Sequence, residues 1–215
     1  MSATDALVFF GATGDLAYKK IFPALQAMAR RGHLDIPVIG VAKSDWTLQQ
    51  FQARARDSLE HHGGVDPPAF AKLVAQLRYV GGDYNDPATF AALNQQLGPA
   101  RRPAHYLAIP PVLFSKVVRQ LGESGCARDG RVIVEKPFGT DLASAVELNR
   151  ILHAQFPEER IFRIDHFLGK KTGQQSDLLS LYQLVSRAGV ESPVRGKRAD
   201  HHGGRFRRPR AGEIL

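Results

Sequence analysis

The chain is 215 residues long, with 29 Lys and Arg against 21 Asp and Glu, a net charge of +8, and 43% hydrophobic residues. These values exclude a disordered chain, and the lone cysteine, Cys126, excludes an intramolecular disulfide and fits a reducing compartment. No run of eighteen apolar residues offers a membrane span and Met1–Asp5 leads into no secretory leader, so the expected location is cytoplasmic.

Ala6–Phe10 is a five-residue apolar run stopped by Gly11, the pattern of a strand buried on both faces. A helix is predicted over Asp15–Arg31, where Phe22, Leu25, Met28 and Ala29 recur at helical spacing. Ile36–Ala42 predicts a second strand, Leu48–His61 a helix, and Leu77–Val80 a short third strand. Asp86 before Pro87 opens a helix over Pro87–Leu97. His105–Ile109 is the fourth expected strand, ending at Pro110-Pro111, and Val112–Ser124 the helix after it. Val132–Val134 is the fifth, ended by Glu135-Lys136-Pro137. Thr140-Asp141 opens a helix over Asp141–Ala154 whose expected apolar stripe includes Leu142, Val146 and Leu152. Arg160–Ile164 is the sixth strand and runs into Asp165-His166.

Strand and helix alternate, which implies right-handed crossovers and an α/β fold, a Rossmann-type doubly wound parallel sheet, over residues 1–170. Beyond that the rhythm stops, although Leu178–Val185 has the length and apolarity of one helix. Residues 1–169 carry 19 basic and 17 acidic side chains, whereas residues 170–215 carry 10 and 4. The excess crowds into Gly/Arg/Pro-rich sequence around Arg195–Arg210. That is the pattern of a poorly ordered tail rather than of a folded nucleic-acid-binding face. Residues 171–215 are therefore expected to be the remnant of a second domain.

The sharpest local signal is Gly11-Ala12-Thr13-Gly14-Asp15-Leu16-Ala17, a glycine-bearing turn between the first strand and the first helix. Glycine lets the backbone approach a pyrophosphate, and the helix start offers N–H groups and the positive end of the dipole. Thr13 adds a hydroxyl, and Ala17 is small enough for close helix–strand packing. The second strand ends in Lys43-Ser44, a cation and a hydroxyl suited to the 2′-phosphate of NADP, with Asp45 nearby favouring the ribose hydroxyls of NAD.

In such a sheet the chemistry lies outside the carboxyl ends of the strands. Lys20 lies one to two turns into the first helix, Lys136 follows the fifth strand, and Asp165, His166 and Lys170 follow the sixth. Lys136, His166 and Lys170 form a set of donors for a dianionic phosphate, and Asp165 is placed to orient a histidine. No metal is expected.

Four blocks, Gly11–Ala17 with Lys20, Tyr106–Pro111, Glu135–Gly139 and Arg163–Lys170, resemble the successive signatures of the glucose-6-phosphate dehydrogenase family in order and spacing. The resemblance covers about residues 5–171. It implies an NADP-dependent oxidoreductase that passes hydride from C1 of glucose 6-phosphate to the cofactor, giving the 6-phosphogluconolactone. It further implies cofactor contacts at Gly11, Ala12, Thr13, Gly14, Asp15, Leu16, Ala17 and Lys43, an adenine side at Asp83 and Tyr84, and a nicotinamide border at Pro110. Lys20 and Lys136 would hold sugar and cofactor together, the latter before a cis proline. His166, Phe167 and Lys170 would hold the 6-phosphate, and Asp165 would pair with the catalytic histidine. Two departures stand out: Lys43 replaces the usual arginine and Phe167 the usual tyrosine.

The histidine that serves the family as general base lies in a later strand that is not recognisable here, nor is the large antiparallel sheet that forms the family's dimer interface. His201 and His202 sit in Gly/Arg-rich sequence and are not assigned that role. One permitted codon set for Phe206–Leu215, read one base later, gives Phe-Gly-Val-Gln-Gly-Arg-Gly-Lys-Phe, a family-like segment. The expectation is a frame-shifted tail and impaired turnover. An atypical short-chain reductase is an alternative, but no Tyr-x-x-x-Lys spacing occurs. The other is a non-catalytic dinucleotide-binding module, or one that uses the basic tail on nucleic acid.

Overall fold

A computed structural model describes residues 4–139 and 141–164. Six parallel strands form one sheet in the order β3-β2-β1-β4-β5-β6: β1 is Ala6–Phe10, β2 Val38–Ala42, β3 Leu77–Gly81, β4 Pro103–Leu107, β5 Arg131–Glu135 and β6 Ile161–Ile164. The chain starts in the middle of the sheet, builds outward through β2 and β3, and returns to the other side of β1 with β4. That is the order of a doubly wound dinucleotide-binding sheet.

All five residues of β1 are buried, and their side chains alternate between two cores. Leu7 and Phe9 join Phe22, Leu25, Met28 and Phe51 on one face, while Ala6, Val8 and Phe10 join Phe90, Val117, Val118 and Leu121 on the other. Apolar residues on both sides of every turn of the pleat are what a sheet covered twice requires. Helix α1 (Phe22–Arg30), α2 (Leu48–His61) and α3 (Pro67–Gln76) cover the first face, and α4 (Pro87–Leu97), α5 (Phe114–Glu123) and α6 (Leu142–Gln155) the second. Thr47 caps α2 in a reciprocal box with Gln50, and Asp141 caps α6 with Ser144.

Several expectations are revised. The first helix is not uniform: a π-helical turn at Ala17–Ile21 precedes α1, and the Ser58 hydroxyl of α2 donates to the Tyr18 carbonyl inside it. Helix α3 was not expected, yet Asp66 caps it ahead of Pro67 and Pro68. Strand β4 lies two residues earlier than predicted, because Pro103 can begin a strand and pairs with Ala6. The stripe expected on α6 is buried only at its end. Leu152 lies in the core as expected, but Leu142 and Val146 are 81% and 60% exposed, and Leu148 and Ile151 complete the buried face in their place. Among the described residues no helix is long and apolar enough to cross a membrane.

Candidate functional site

The loops leaving β1 and β4 part at the centre of the sheet, one toward α1 and the other toward α5. The crevice of a doubly wound fold opens at such a point. Gly11 holds it together. Its φ of +79° is in the left-handed region, and a Cβ there would lie 2.2 Å from the Ala108 carbonyl oxygen and 3.1 Å from Ile109 Cγ2. Only glycine lets the β1 loop lie this close to the chain leading into Pro110.

The loop rests on a network beneath it. The Gly11 N–H donates to the Val41 carbonyl at 2.9 Å and to the Tyr84 hydroxyl at 2.9 Å, and the Ala12 N–H donates to Val41 at 3.2 Å. Tyr84 in turn donates to the Val41 carbonyl at 3.1 Å, and burial raises its pKa. Gly14 bonds back to the Gly11 carbonyl at 2.9 Å, and Tyr18 N–H to the Gly14 carbonyl at 3.1 Å makes the first helical bond. Helical backbone begins at Asp15, so the amides of Asp15, Leu16 and Ala17 precede any available intrahelical carbonyl and point outward at the positive end of the dipole. The Asp15 carboxylate turns along the helix to Lys19, 2.9 Å away, and that bond lowers its pKa.

The neighbouring strand ends supply side chains. Thr13 Oγ1 is 3.0 Å from Ser44 Oγ, joining the loop to the end of β2. The Ser44 carbonyl is held by the Tyr79 hydroxyl at 2.6 Å and by the Trp46 N–H at 3.0 Å, and burial pushes the Tyr79 phenol up to about 12. Lys43 Nζ pairs with Asp83 Oδ2 at 2.9 Å. The Asn85 backbone N–H and the Lys43 ammonium together bring the Asp83 carboxyl down to about 2.

Across the crevice, the Tyr106 hydroxyl of β4 donates to Glu135 Oε1 at the end of β5, and the Lys136–Pro137 peptide is cis. Lys136 is exposed there. One strand, β4, separates β1 from β5, so the two strands that lead into the glycine loop and Lys136 run about 10 Å apart and end on the same edge. Lys20 is exposed in the π turn beyond the glycine loop. π turns recur at functional sites because they displace side chains from the α-helical register.

The structure thus sets Gly11–Ala17, Lys43, Asp83, Pro110 and Lys136 along one edge of the sheet, with Tyr84 buried under the loop. Asp165, His166, Phe167 and Lys170, together with the tail and its expected frame shift, lie outside the described residues. Two contributors had no sequence expectation: the Ala108 carbonyl, against which Gly11 packs, and Gly40. A Cβ on Gly40 would lie 2.4 Å from Phe51 and 2.8 Å from the Ala12 Cβ, so the small residue seats the loop and α2 on β2. A glycine inside a buried strand was the available signal.

A backbone cradle that a Cβ would fill, open helix amides, and a lysine with paired hydroxyls suit a dinucleotide phosphate. The family described as "Glucose-6-phosphate dehydrogenase, NAD binding domain" matches residues 8–175. Glucose-6-phosphate 1-dehydrogenase 1 of Mycobacterium tuberculosis (strain ATCC 25618 / H37Rv) is 44% identical over 169 residues, covering 79% of this chain and 36% of that protein. Glucose-6-phosphate 1-dehydrogenase of Saccharomyces cerevisiae is 39% identical over 176 residues, covering 75% and 35%. The crystal structure of glucose-6-phosphate 1-dehydrogenase from Mycobacterium avium superposes with a TM-score of 0.74 at 44% identity, covering 79% of this chain and 37% of that one. A glucose-6-phosphate dehydrogenase solved with its substrate glucose-6-phosphate gives 0.67 at 33% identity, with 79% and 38% covered. The chain spans 36% of the length of the first of these relatives.

Proposed function

Because the chain belongs to the glucose-6-phosphate dehydrogenase family, we propose that it supplies the NADP-binding half of that oxidoreductase's site, with the first part of its sugar-phosphate grip. The observation that carries this reading is the glycine cradle at the parting of β1 and β4, where Gly11 lies against Ala108 and the helix amides begin at Asp15. The pyrophosphate would lie on the amides of Thr13–Ala17, where the dipole favours negative charge. Lys43 and the Thr13–Ser44 hydroxyl pair face the 2′-phosphate, and Pro110 borders the nicotinamide.

NADP held there would supply the acceptor for hydride from C1 of glucose 6-phosphate, the C1 hydroxyl losing its proton, so that the product would be the 6-phosphogluconolactone. This chain's part is to hold both reactants still. Lys136, His166 and Lys170 would fix the 6-phosphate, Phe167 lacking the hydroxyl that the family's usual tyrosine adds, and Lys20 would hold the sugar near the cofactor. Binding energy spent on the phosphate, far from C1, then aligns the reacting carbon. Asp165 pairs with the base histidine in the family. No residue of this chain is assigned as that base, so a polypeptide of these 215 residues is expected to bind NADP and turn over poorly. The cytoplasm, a reducing compartment, is the proposed location.

The test is calorimetric titration of the purified chain with NADP and then with glucose 6-phosphate, alongside an assay for NADPH formation. Saturable NADP binding that tightens with the sugar phosphate, with little or no NADPH formed, supports the reading. No binding of either ligand would refute it, and brisk turnover would refute the impaired activity.

A further inference from the structure

The end of β2 carries Lys43, and the end of β3 carries a carboxylate aimed at it. Lys43 Nζ is 2.9 Å from Asp83 Oδ2, and the two partners are unequal. The lysine side chain is 79% exposed on a flexible stem, whereas the aspartate side chain is 37% exposed and tied down. Asp83 Oδ1 accepts the Asn85 backbone N–H at 2.9 Å and the Asn85 side-chain N–H at 2.6 Å. The Asp83 carbonyl accepts the Thr89 hydroxyl at 2.8 Å and the Asp86 N–H at 3.0 Å. Asn85 is itself held, because Lys116 donates to its Oδ1. The lysine can leave the pair; the carboxylate stays.

An exposed ion pair contributes little stability, so a 2′-phosphate can draw Lys43 away at small cost. It cannot remove the negative charge that Lys43 was offsetting. Oδ2 also keeps a free lone pair, which a ribose 2′-hydroxyl can use as an acceptor. An acidic residue serves that purpose at the end of β2 in NAD-binding sheets; here the equivalent carboxylate arrives from β3.

We propose that Asp83 is a specificity-determining residue of the cofactor site: its anchored carboxylate shares Lys43 and opposes the 2′-phosphate, so that NAD competes with NADP. The inference rests on the dinucleotide-binding reading given above, and adds to it the residue that sets the choice between the two forms. Asp45 is a second carboxylate on the same rim, exposed after Ser44, and provides an internal comparison.

The test is the dissociation constants of NADP and NAD, measured separately on the full chain and on Asp83→Asn, at low salt and at 0.5 M salt. Asparagine keeps an Oδ1 acceptor for Asn85 and removes only the charge. NADP is expected to bind about five- to tenfold tighter to the variant at low salt, from the Coulomb energy of one carboxylate near a dianion, with NAD unchanged or weaker. The gain shrinks at high salt as the field is screened. Asp45→Asn is expected to shift the ratio less than twofold, and Asp83→Ser gives the same reading if the asparagine variant melts early. An unchanged NADP-to-NAD ratio in both Asp83 variants, or an equal shift in Asp45→Asn, overturns the proposal while both nucleotides still bind. Failure of the unaltered chain to bind either nucleotide overturns the dinucleotide reading, and the role of Asp83 with it.

Discussion

The Tyr84 hydroxyl accepts the Gly11 N–H at 2.9 Å and donates to the Val41 carbonyl at 3.1 Å. A residue just past β3 thereby fastens the first loop of the molecule to the strand between them. The glycine loop is supported from below by a phenol. The tyrosine is buried, and its hydroxyl spends both its donor and an acceptor on backbone.

Tyr84→Phe removes that support without opening a large cavity. Gly11 keeps its second bond to Val41, so no amide is orphaned and the cost is about 1 kcal/mol. Urea unfolding measures the stability loss, and nucleotide affinity is expected to fall with it as the loop loosens. A variant as stable as the parent, with unaltered affinity, would show that the phenol does not support the loop.

Gly11→Ala acts directly. The new methyl meets the Ala108 carbonyl oxygen at 2.2 Å and must adopt a φ of +79°, so a loss of about 2 kcal/mol or more is expected, with nucleotide binding abolished. Gly40→Ala drives a methyl toward Phe51 and Ala12 in the core, with an overpacking cost of about 1–3 kcal/mol. Thermal melts of the two variants and one nucleotide titration check both.

Thr13→Val separates affinity from stability. Among the described residues its hydroxyl bonds only Ser44 Oγ, at a half-buried position, so the melting temperature should scarcely move. NADP affinity is expected to fall about two- to fivefold, the worth of one hydroxyl hydrogen bond. A change in stability with no change in affinity would assign the hydroxyl to the fold alone.

His105 gives the fold a pH dependence unrelated to the site. It is fully buried in β4, its Nε2 lies 2.9 Å from the Cys126 carbonyl, and Nδ1 has no hydrogen-bond partner among the described residues, the arrangement of a neutral ring. Burial lowers its pKa from 6.5 to about 4. The unfolded chain therefore binds more protons between those values, and stability is complete above pH 6.5 and drains away as pH falls toward 4. The full loss is up to about 3 kcal/mol. Comparing urea midpoints at pH 7 and pH 4.5 for the parent and His105→Gln isolates this group. Equal pH slopes in the two proteins would contradict it.

Much of this was legible before any coordinates. The alternation of apolar runs with amphipathic stretches identifies all six strands, and α2 and α4 take the residues that Leu48–His61 and Pro87–Leu97 suggest. Local signals carry that information, because the central strands are apolar on both faces and α2, α3, α4 and α6 open on side-chain caps. What sequence could not show is contact at long range. The Tyr84–Gly11 bond joins positions 73 apart, and the Lys43–Asp83 pair brings together two residues that each pass for a cofactor contact when read singly. The α6 stripe misled for another reason. Leu142, Val146 and Leu152 keep helical spacing, but only Leu152 is buried, and Leu148 and Ile151 fill the core beside it. Spacing gives a face, and packing decides whether that face is covered.

The most direct test is an amide-resolved ¹⁵N NMR titration of the chain with NADP. The account predicts that the largest shift changes fall on Gly11, Thr13, Gly14, Asp15, Leu16 and Ala17, followed by Ser44 and Ala108, with α3 and the far ends of the strands unmoved. Saturable binding that leaves the amides of residues 11–17 in place would contradict it.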